Sequence, residues 1–293
     1  MIIDGKAIAA EIREELRQST EAFKAIYETT PCLAVIQVGD NPASTTYVNN
    51  KIKACQEIGF KFHVFHMLEN TSEYNLLTAI QGLNSNPEVH GILVQLPLPK
   101  HINEKRILEA INPAKDVDAF HPYNTGRLME GDPEFLPCTP AGVMEMLKRY
   151  SIEIEGKECV VVGRSNIVGK PIAHLLLQQN GTVTICHSKT KNLEEVCKRA
   201  DILVCAVGKP KFFNEDYVKF NSVVIDVGIN RDENGKLCGD VDFEAVKDIV
   251  KYITPVPGGC GPMTIAMLMK NTYHAALMIE GAKLNVYAEK NTD

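Results

Sequence analysis

The chain has 293 residues, 45% of them apolar and 23% charged, with a net charge of −6 and a pI near 5.8. That length allows about two domains with cores of their own, and the acidic balance, with no basic run interleaved with aromatics, argues against a nucleic-acid partner. No stretch approaches the roughly 18 consecutive apolar residues of a membrane span, and the opening MIIDGKAIAAEIREE lacks the basic and apolar regions of a secretory signal.

In chain order, an amphipathic helix is predicted over residues 6–28, then a strand CLAVIQV, a helix over 43–58 and a strand over 62–67. A helix over 72–83 and a strand HGILVQL complete a β-α-β-α-β series, the pattern of a parallel α/β layer. The stretch 136–150, LPCTPAGVMEMLKRY, reads as a helix with Thr139-Pro140 as cap and first turn. A second series follows, with strands near 159–162, 182–186, 202–207 and 222–227. After TPVPGGCGPMT a long helix runs to about residue 280. The expected fold is therefore α/β with two domains. A catalytic domain of residues 1–138 plus 264–293, completed by the C-terminal helix, would carry an inserted Rossmann-type domain of residues 139–263. Ligands of such folds lie outside the carboxyl ends of the strands, here the cleft between domains. Nine scattered cysteines with no C-x-x-C pair fit a reducing cytoplasmic setting, with neither a disulfide framework nor a bound metal.

The loop in CVVVGRSNIVGKP lies between a strand end and a helix start, where amides and the helix dipole favour a phosphate. An ATP-type loop needs four residues between its glycines, then Lys and Ser or Thr. Here five separate Gly163 from Gly169, and Pro171 follows Lys170, so that reading fails. The pattern Gly163-x-Ser165-x-x-x-Gly169 is a loose dinucleotide turn, and a tight βα turn with no ligand fits it equally well. The next strand, TVTIC, leads into HSKTK. Between Glu158 and Glu194 there is no acidic residue to accept from a ribose 2′-hydroxyl; His187, Ser188, Lys189 and Lys191 stand there, with Arg164 in the loop. Hydroxyl and cationic groups suit a 2′-phosphate, which selects NADP over NAD, although a solvated basic turn has the same composition.

In the helix opened by Asn41-Pro42, Val48, Ile52 and Cys55 form the apolar stripe, and Tyr47 and Lys51 share a face away from its centre. A surface lysine beside a tyrosine is the ordinary reading of that pair. Gln95 ends an apolar strand before Pro97 and Pro99 turn the chain out; it either caps a loop or faces a ligand. Asp116 and Asp118 flank Val117, which would send both carboxylates to one face of an extended segment, while a turn-forming role is open to either.

Taken in order, YVNNKIKACQEIGF, GILVQLPLP, PAKDVDAFHP, GRSNIVGKP, CHSKT, VGIN and TPVPGGCGPMT resemble the bifunctional methylenetetrahydrofolate dehydrogenase/methenyltetrahydrofolate cyclohydrolase family across residues 1–280. Two positions depart from it: glycine is expected where Ala119 stands, and valine where Cys260 stands. The resemblance implies a cytoplasmic homodimer acting on tetrahydrofolate derivatives with NADP. It makes Lys51 catalytic, with Gln95 holding it, Tyr47 stacked on the aminobenzoyl ring and Asp118 on the pterin. It places Gly163, Arg164 and Ser165 at the cofactor phosphates, Ser188 at the 2′-phosphate, and Ile229 and Thr264 near the nicotinamide. Another two-domain NADP dehydrogenase, of a small hydroxy or amino acid, would have no use for Asp118 or Tyr47. A non-catalytic NADP sensor would keep the loop and leave Lys51 and Gln95 unconstrained.

Overall fold

The structure, a computed structural model, describes residues 1–290; the last three residues of the expected 264–293 segment lie outside the described residues. The chain falls into two compact units. One comprises Met1–Ala10, Leu128–Asp132 and Pro137–Met267; the other comprises Glu11–Arg127, Pro133–Leu136 and the chain from Leu268 onward.

The latter is built on helix α1 (Gly5–Tyr27), strand β1 (Cys32–Val38), α2 (Pro42–Ile58), β2 (Lys61–Met67), α3 (Glu73–Ser85) and β3 (Gly91–Val94). Its sheet is parallel in the order β2-β1-β3, so β1 is central. Every β1 residue is buried, which is why CLAVIQV reads as one apolar run without alternation. Edge strand β2 is largely exposed. Ala34, Ile36, Ile92 and Val94 of the sheet pack with Leu76, Ile80 and Ile107 in one core. Each valine, leucine or isoleucine among them contributes ~1.5–3 kcal/mol when fully buried. Asn41 caps α2 through Oδ1, accepting from the amides of Ala43 and Ser44 at 3.0 and 3.2 Å. Gly59, at φ +79°, closes the other end. Two shorter helices follow β3, α4 (Glu104–Ala110) and α5 (Pro122–Glu130).

The five-stranded unit follows with α6 (Cys138–Arg149), β4 (Glu158–Val162), α7 (Gly169–Gln178), β5 (Thr182–Cys186), α8 (Leu193–Lys198), β6 (Ile202–Cys205) and β7 (Val223–Asp226). A two-residue hairpin of β8 (Asn230–Arg231) and β9 (Leu237–Cys238) precedes α9 (Phe243–Val246) and β10 (Tyr252–Ile253). The sheet is parallel in the order β10-β7-β6-β4-β5, a doubly wound arrangement whose strand order reverses between β4 and β6. Val160, Val162, Leu203, Cys205 and Val224 form its core with Phe213. The chain start joins this sheet: Ile2 bridges Ile253, and the Ile3 amide donates to the Ile253 carbonyl at 2.8 Å.

Helix α10 (Cys260–Lys290) continues ten residues beyond the expected end near residue 280. The expected Thr139 cap is not formed. Helix α6 starts two residues earlier, at Cys138, with no side-chain cap bond, and the Thr139 hydroxyl lies 2.9 Å from that of Thr264. Thr264 spends its own proton on the Cys260 carbonyl at 3.1 Å, so Thr139 is the donor of the pair. All nine cysteines are free thiols and buried. Among the described residues, no helix is long and apolar enough to cross a membrane.

Candidate active site

In the three-stranded unit the site is built from the carboxyl ends of β1 and β3 and from the helix between them. The Gln95 amide donates to the Ile36 carbonyl at 2.8 Å, extending the ladder one residue past β3 and fixing where this side chain starts. Lys51 Nζ donates to Gln95 Oε1 at 2.9 Å, and Gln95 Nε2 donates to the Leu96 carbonyl at 2.7 Å. The second bond decides which way the amide faces, so its oxygen meets the amine. That oxygen accepts from an amine whether or not the amine carries a charge.

The placement of Lys51 corrects the sequence reading of α2. The buried stripe is Ser44, Val48, Lys51, Ala54, Cys55 and Ile58, and Ile52 is only half-buried. Lys51 is 8% exposed, inside the stripe and not beside it. Hydropathy assigned that place to Ile52 because it gives a lysine no credit for a partner such as Gln95. Tyr47, one turn earlier, is half-buried, and burial pushes its hydroxyl above the ordinary tyrosine range.

The DVD segment is a turn, and its two carboxylates do different work. The Val117 amide donates to the Lys115 carbonyl and the Ala119 amide to the Asp116 carbonyl, both at 3.0 Å, so alternation does not apply. Asp116, 1% exposed, accepts from the His121 amide at 2.8 Å and from Asn124 Nδ2 at 2.9 Å. Burial pushes its carboxyl above the usual range, against those donors. Asp118 is half-buried. The turn is tied to β3 by a bridge between Ile92 and Asp116, and Gly91 is required there because a Cβ would lie 2.8 Å from Val117 Cγ1. Asn271 of α10 braces it further, its Nδ2 donating to the carbonyls of Val117 and Leu136, both at 2.8 Å. No sequence signal singled out Asn271; an asparagine mid-helix looks like a solvated surface residue. Ala119, the first departure from the family pattern, stands at φ +59°, where glycine is at ease and alanine is strained.

In the five-stranded unit the predicted cofactor residues lie past the carboxyl ends of β4, β5 and β7, except Thr264, which is in the first turns of α10. Gly163 has φ +139°, and a Cβ on it would come within 2.3 Å of the Ala206 carbonyl oxygen, just past β6. Gly169 is as tight: its Cβ would meet the Gly163 carbonyl oxygen at 2.2 Å. The two glycines therefore fix the approach of helix α7 to the end of β4. Arg164 and Ser165 between them are exposed, and Ser165 Oγ accepts from the amides of Val168 and Gly169 at 3.2 and 3.4 Å. Ser188 and Lys189 are exposed one strand away; the Gly163 amide donates to the Cys186 carbonyl at 2.9 Å, which joins the two turns. Ile229 is 46% exposed, and its Cδ1 lies 3.7 Å from where a Cβ on Gly261 would stand, one turn before Thr264. Cys260, the second departure, is buried at the start of that helix, and burial pushes its thiol up.

These residues fit a dinucleotide. The turn leaves room only for glycine where backbone approaches backbone, and it opens on a helix start. The neighbouring turn offers hydroxyl and ammonium groups and no carboxylate.

Comparison with known proteins bears on both sets of residues. The family model described as tetrahydrofolate dehydrogenase/cyclohydrolase, catalytic domain, matches residues 3–118, and that of its NAD(P)-binding domain matches residues 137–280. A protein of Acetivibrio thermocellus named bifunctional protein FolD is 60% identical over 275 residues, covering 94% of this chain and 96% of its own length. The crystal structure of the bifunctional FolD methylenetetrahydrofolate dehydrogenase/cyclohydrolase of Campylobacter jejuni is 53% identical, with a TM-score of 0.92 over 94% of this chain and 98% of that one. The Trypanosoma brucei enzyme, solved with NADP cofactor and an inhibitor, is 38% identical, with a TM-score of 0.91 over 95% and 97% of the two chains. The chain belongs to the tetrahydrofolate dehydrogenase/cyclohydrolase family.

Proposed function

We propose that this chain oxidises 5,10-methylenetetrahydrofolate to the methenyl cation with NADP+ and then hydrolyses that cation to 10-formyltetrahydrofolate. The observation that carries the reading is the buried Lys51 amine, held by Gln95 in the unit whose sequence matches the family's catalytic domain. Residues 1–138 with 264–293 would serve the folate, and residues 139–263 the cofactor.

Asp118 would accept two parallel bonds from the pterin's amino group and adjacent ring N–H, a fork that a carboxylate matches. The Tyr47 ring would stack on the aminobenzoyl ring. Gly163, Arg164 and Ser165 would hold the cofactor phosphates, Ser188 the 2′-phosphate, and Ile229 and Thr264 the nicotinamide end. Bound NADP+ supplies a hydride acceptor for the bridging methylene. The chain's contribution to oxidation is therefore positioning, since the nitrogens beside that carbon stabilise the charge that forms. Hydrolysis asks more. As water adds to the methenyl carbon it must lose a proton, and the folate nitrogen must gain one as its bond to that carbon breaks. Lys51 can do both in turn, taking the proton from water and returning it to the leaving nitrogen.

The reading includes a cytoplasmic homodimer, which light scattering on the purified chain would check for mass. The chemistry is tested by mixing the chain with methylenetetrahydrofolate and either NADP or NAD, following NADPH formation and methenyl decay together. The expected result is both signals, with NADP preferred. Dehydrogenation of hydroxy or amino acids without folate turnover would refute it.

A further inference from the structure

Two buried carboxylates of the five-stranded unit belong to none of the roles above. Asp240, 0% exposed, accepts from three successive backbone amides in the loop after β6: Val207 at 2.6 Å, Gly208 at 3.0 Å and Lys209 at 2.8 Å. Its Oδ1 also accepts at 2.9 Å from Nδ2 of Asn230, the first residue of β8. Asp226, 3% exposed, ends β7 and accepts from the amides of Gly228 at 3.0 Å and of Asp240 and Val241 at 2.9 Å each. The two carboxylates therefore bracket Ile229: the Gly228 amide is bonded to one, and the Asn230 side chain to the other. Room for them is cut from the backbone. A Cβ on Gly228 would lie 2.2 Å from Asp240 Oδ1, and one on Gly239 would lie 1.8 Å from Asp226 Oδ2.

Place in the fold gives this network its meaning. The loop after β6 meets the Gly163 turn where the strand order reverses, the point at which doubly wound sheets bind ligands. Two carboxyl groups shut away from water are costly unless well bonded, and seven donor contacts answer that cost here. An apolar pair of the same shape would leave those donors, six of them backbone amides, without acceptors. What the carboxylates accomplish is to fix the direction of amides in two adjacent loops at the ligand end of the sheet.

We propose that Asp240, supported by Asp226, is a positioning residue for the cofactor: it sets the loop 207–209 and presents Ile229 to the nicotinamide end. This rests on the proposed function and goes beyond it, since both aspartates are closed off from solvent and would act through the loops they hold. The test uses the full chain and two variants. Asp240→Asn keeps shape but turns an amide nitrogen toward backbone donors. Gly228→Ala keeps Asp240 and displaces its carboxylate. Each should raise the KM for NADP about tenfold or more, with the KM for methylenetetrahydrofolate rising far less. Oxidation should fall more steeply than hydrolysis of supplied methenyltetrahydrofolate. Calorimetric titration with NADP reads the same weakening without turnover, so it still decides the matter if the wild type proves inactive on folates. A rise of no more than about twofold in both variants would overturn the proposal. So would a parallel fall of both activities that tracks the loss of folded protein in thermal melts, which is what a merely structural role predicts.

Discussion

The two units solve the same problem by different means. Both hang functional groups on loops beyond the carboxyl ends of parallel strands, and both brace those loops with buried aspartates. In the three-stranded unit Asp116 takes the His121 backbone amide and the Asn124 side-chain amide, and what that bracing holds is the turn that carries the Asp118 side chain. In the five-stranded unit Asp240 takes three consecutive backbone amides, and the product is the backbone itself. The difference follows from the ligands. On the proposed function a pterin edge would be read by a carboxylate fork and a reacting carbon by an amine, which are side-chain tasks. Phosphates and a nicotinamide are held largely by amides and close backbone approach.

The contrast can be broken first at Lys51. Replacing it with Met should lower cyclohydrolase activity by about 10²–10⁴-fold while costing oxidation much less, because only hydrolysis needs a proton carrier. Equal losses in both steps would return the lysine to a packing role. Asp118→Ala removes the fork and should raise the folate KM by about 10–100-fold, leaving NADP affinity near its wild-type value; an unchanged folate KM would place the pterin elsewhere. On the cofactor side, Ser188→Asp should shift preference from NADP toward NAD by about tenfold or more, since a carboxylate repels the 2′-phosphate and accepts from a hydroxyl. Unaltered preference would relocate that pocket.

A pH effect sharpens the comparison within the five-stranded unit. Burial raises the Asp226 carboxyl from 3.8 to about 7, with Asp240 adding in the same direction. The folded chain then holds a proton that the unfolded chain has released. Its contribution is present below pH 4 and is lost as pH rises toward 7, by up to about 1.4 kcal/mol per pH unit. Thermal melts of wild type and Asp226→Asn should therefore move in the variant's favour across that window. A constant gap would mean that the amide donors keep Asp226 ionised throughout. The smallest effect concerns Ala119. Exchange for glycine relieves left-handed strain of ~1–2 kcal/mol but gives up a buried methyl and chain entropy of similar total size. Stability should change by less than about 1 kcal/mol, and a larger loss would show the methyl to be a tighter contact than its neighbours suggest.

Much of this was legible from residue order. The buried parallel strands announce themselves as unbroken apolar runs such as CLAVIQV, and the cofactor turn by its glycines and the missing carboxylate. The family motifs supplied the rest of the outline. The side of α2 that Lys51 occupies was not legible, because periodicity ranks side chains by hydropathy and cannot see Gln95 forty-four positions away. Nor were Asp226 and Asp240, since carboxylates at strand ends and in loops ordinarily face water. A signal for them did exist in IDVGIN and CGDVD: Gly228 and Gly239 stand beside them without any positive φ to require glycine, and the lack of room beside each carboxylate is the reason. The two-residue strands β8, β9 and β10 are too short to leave a periodic trace.

The most direct test is a crystal structure of the chain with NADP and a tetrahydrofolate analogue. The pterin should lie on the Asp118 carboxylate, with the Lys51 amine in hydrogen-bonding reach of the one-carbon position and still held by Gln95. A pterin bound away from Asp118, with that amine turned from the one-carbon position, would contradict the account.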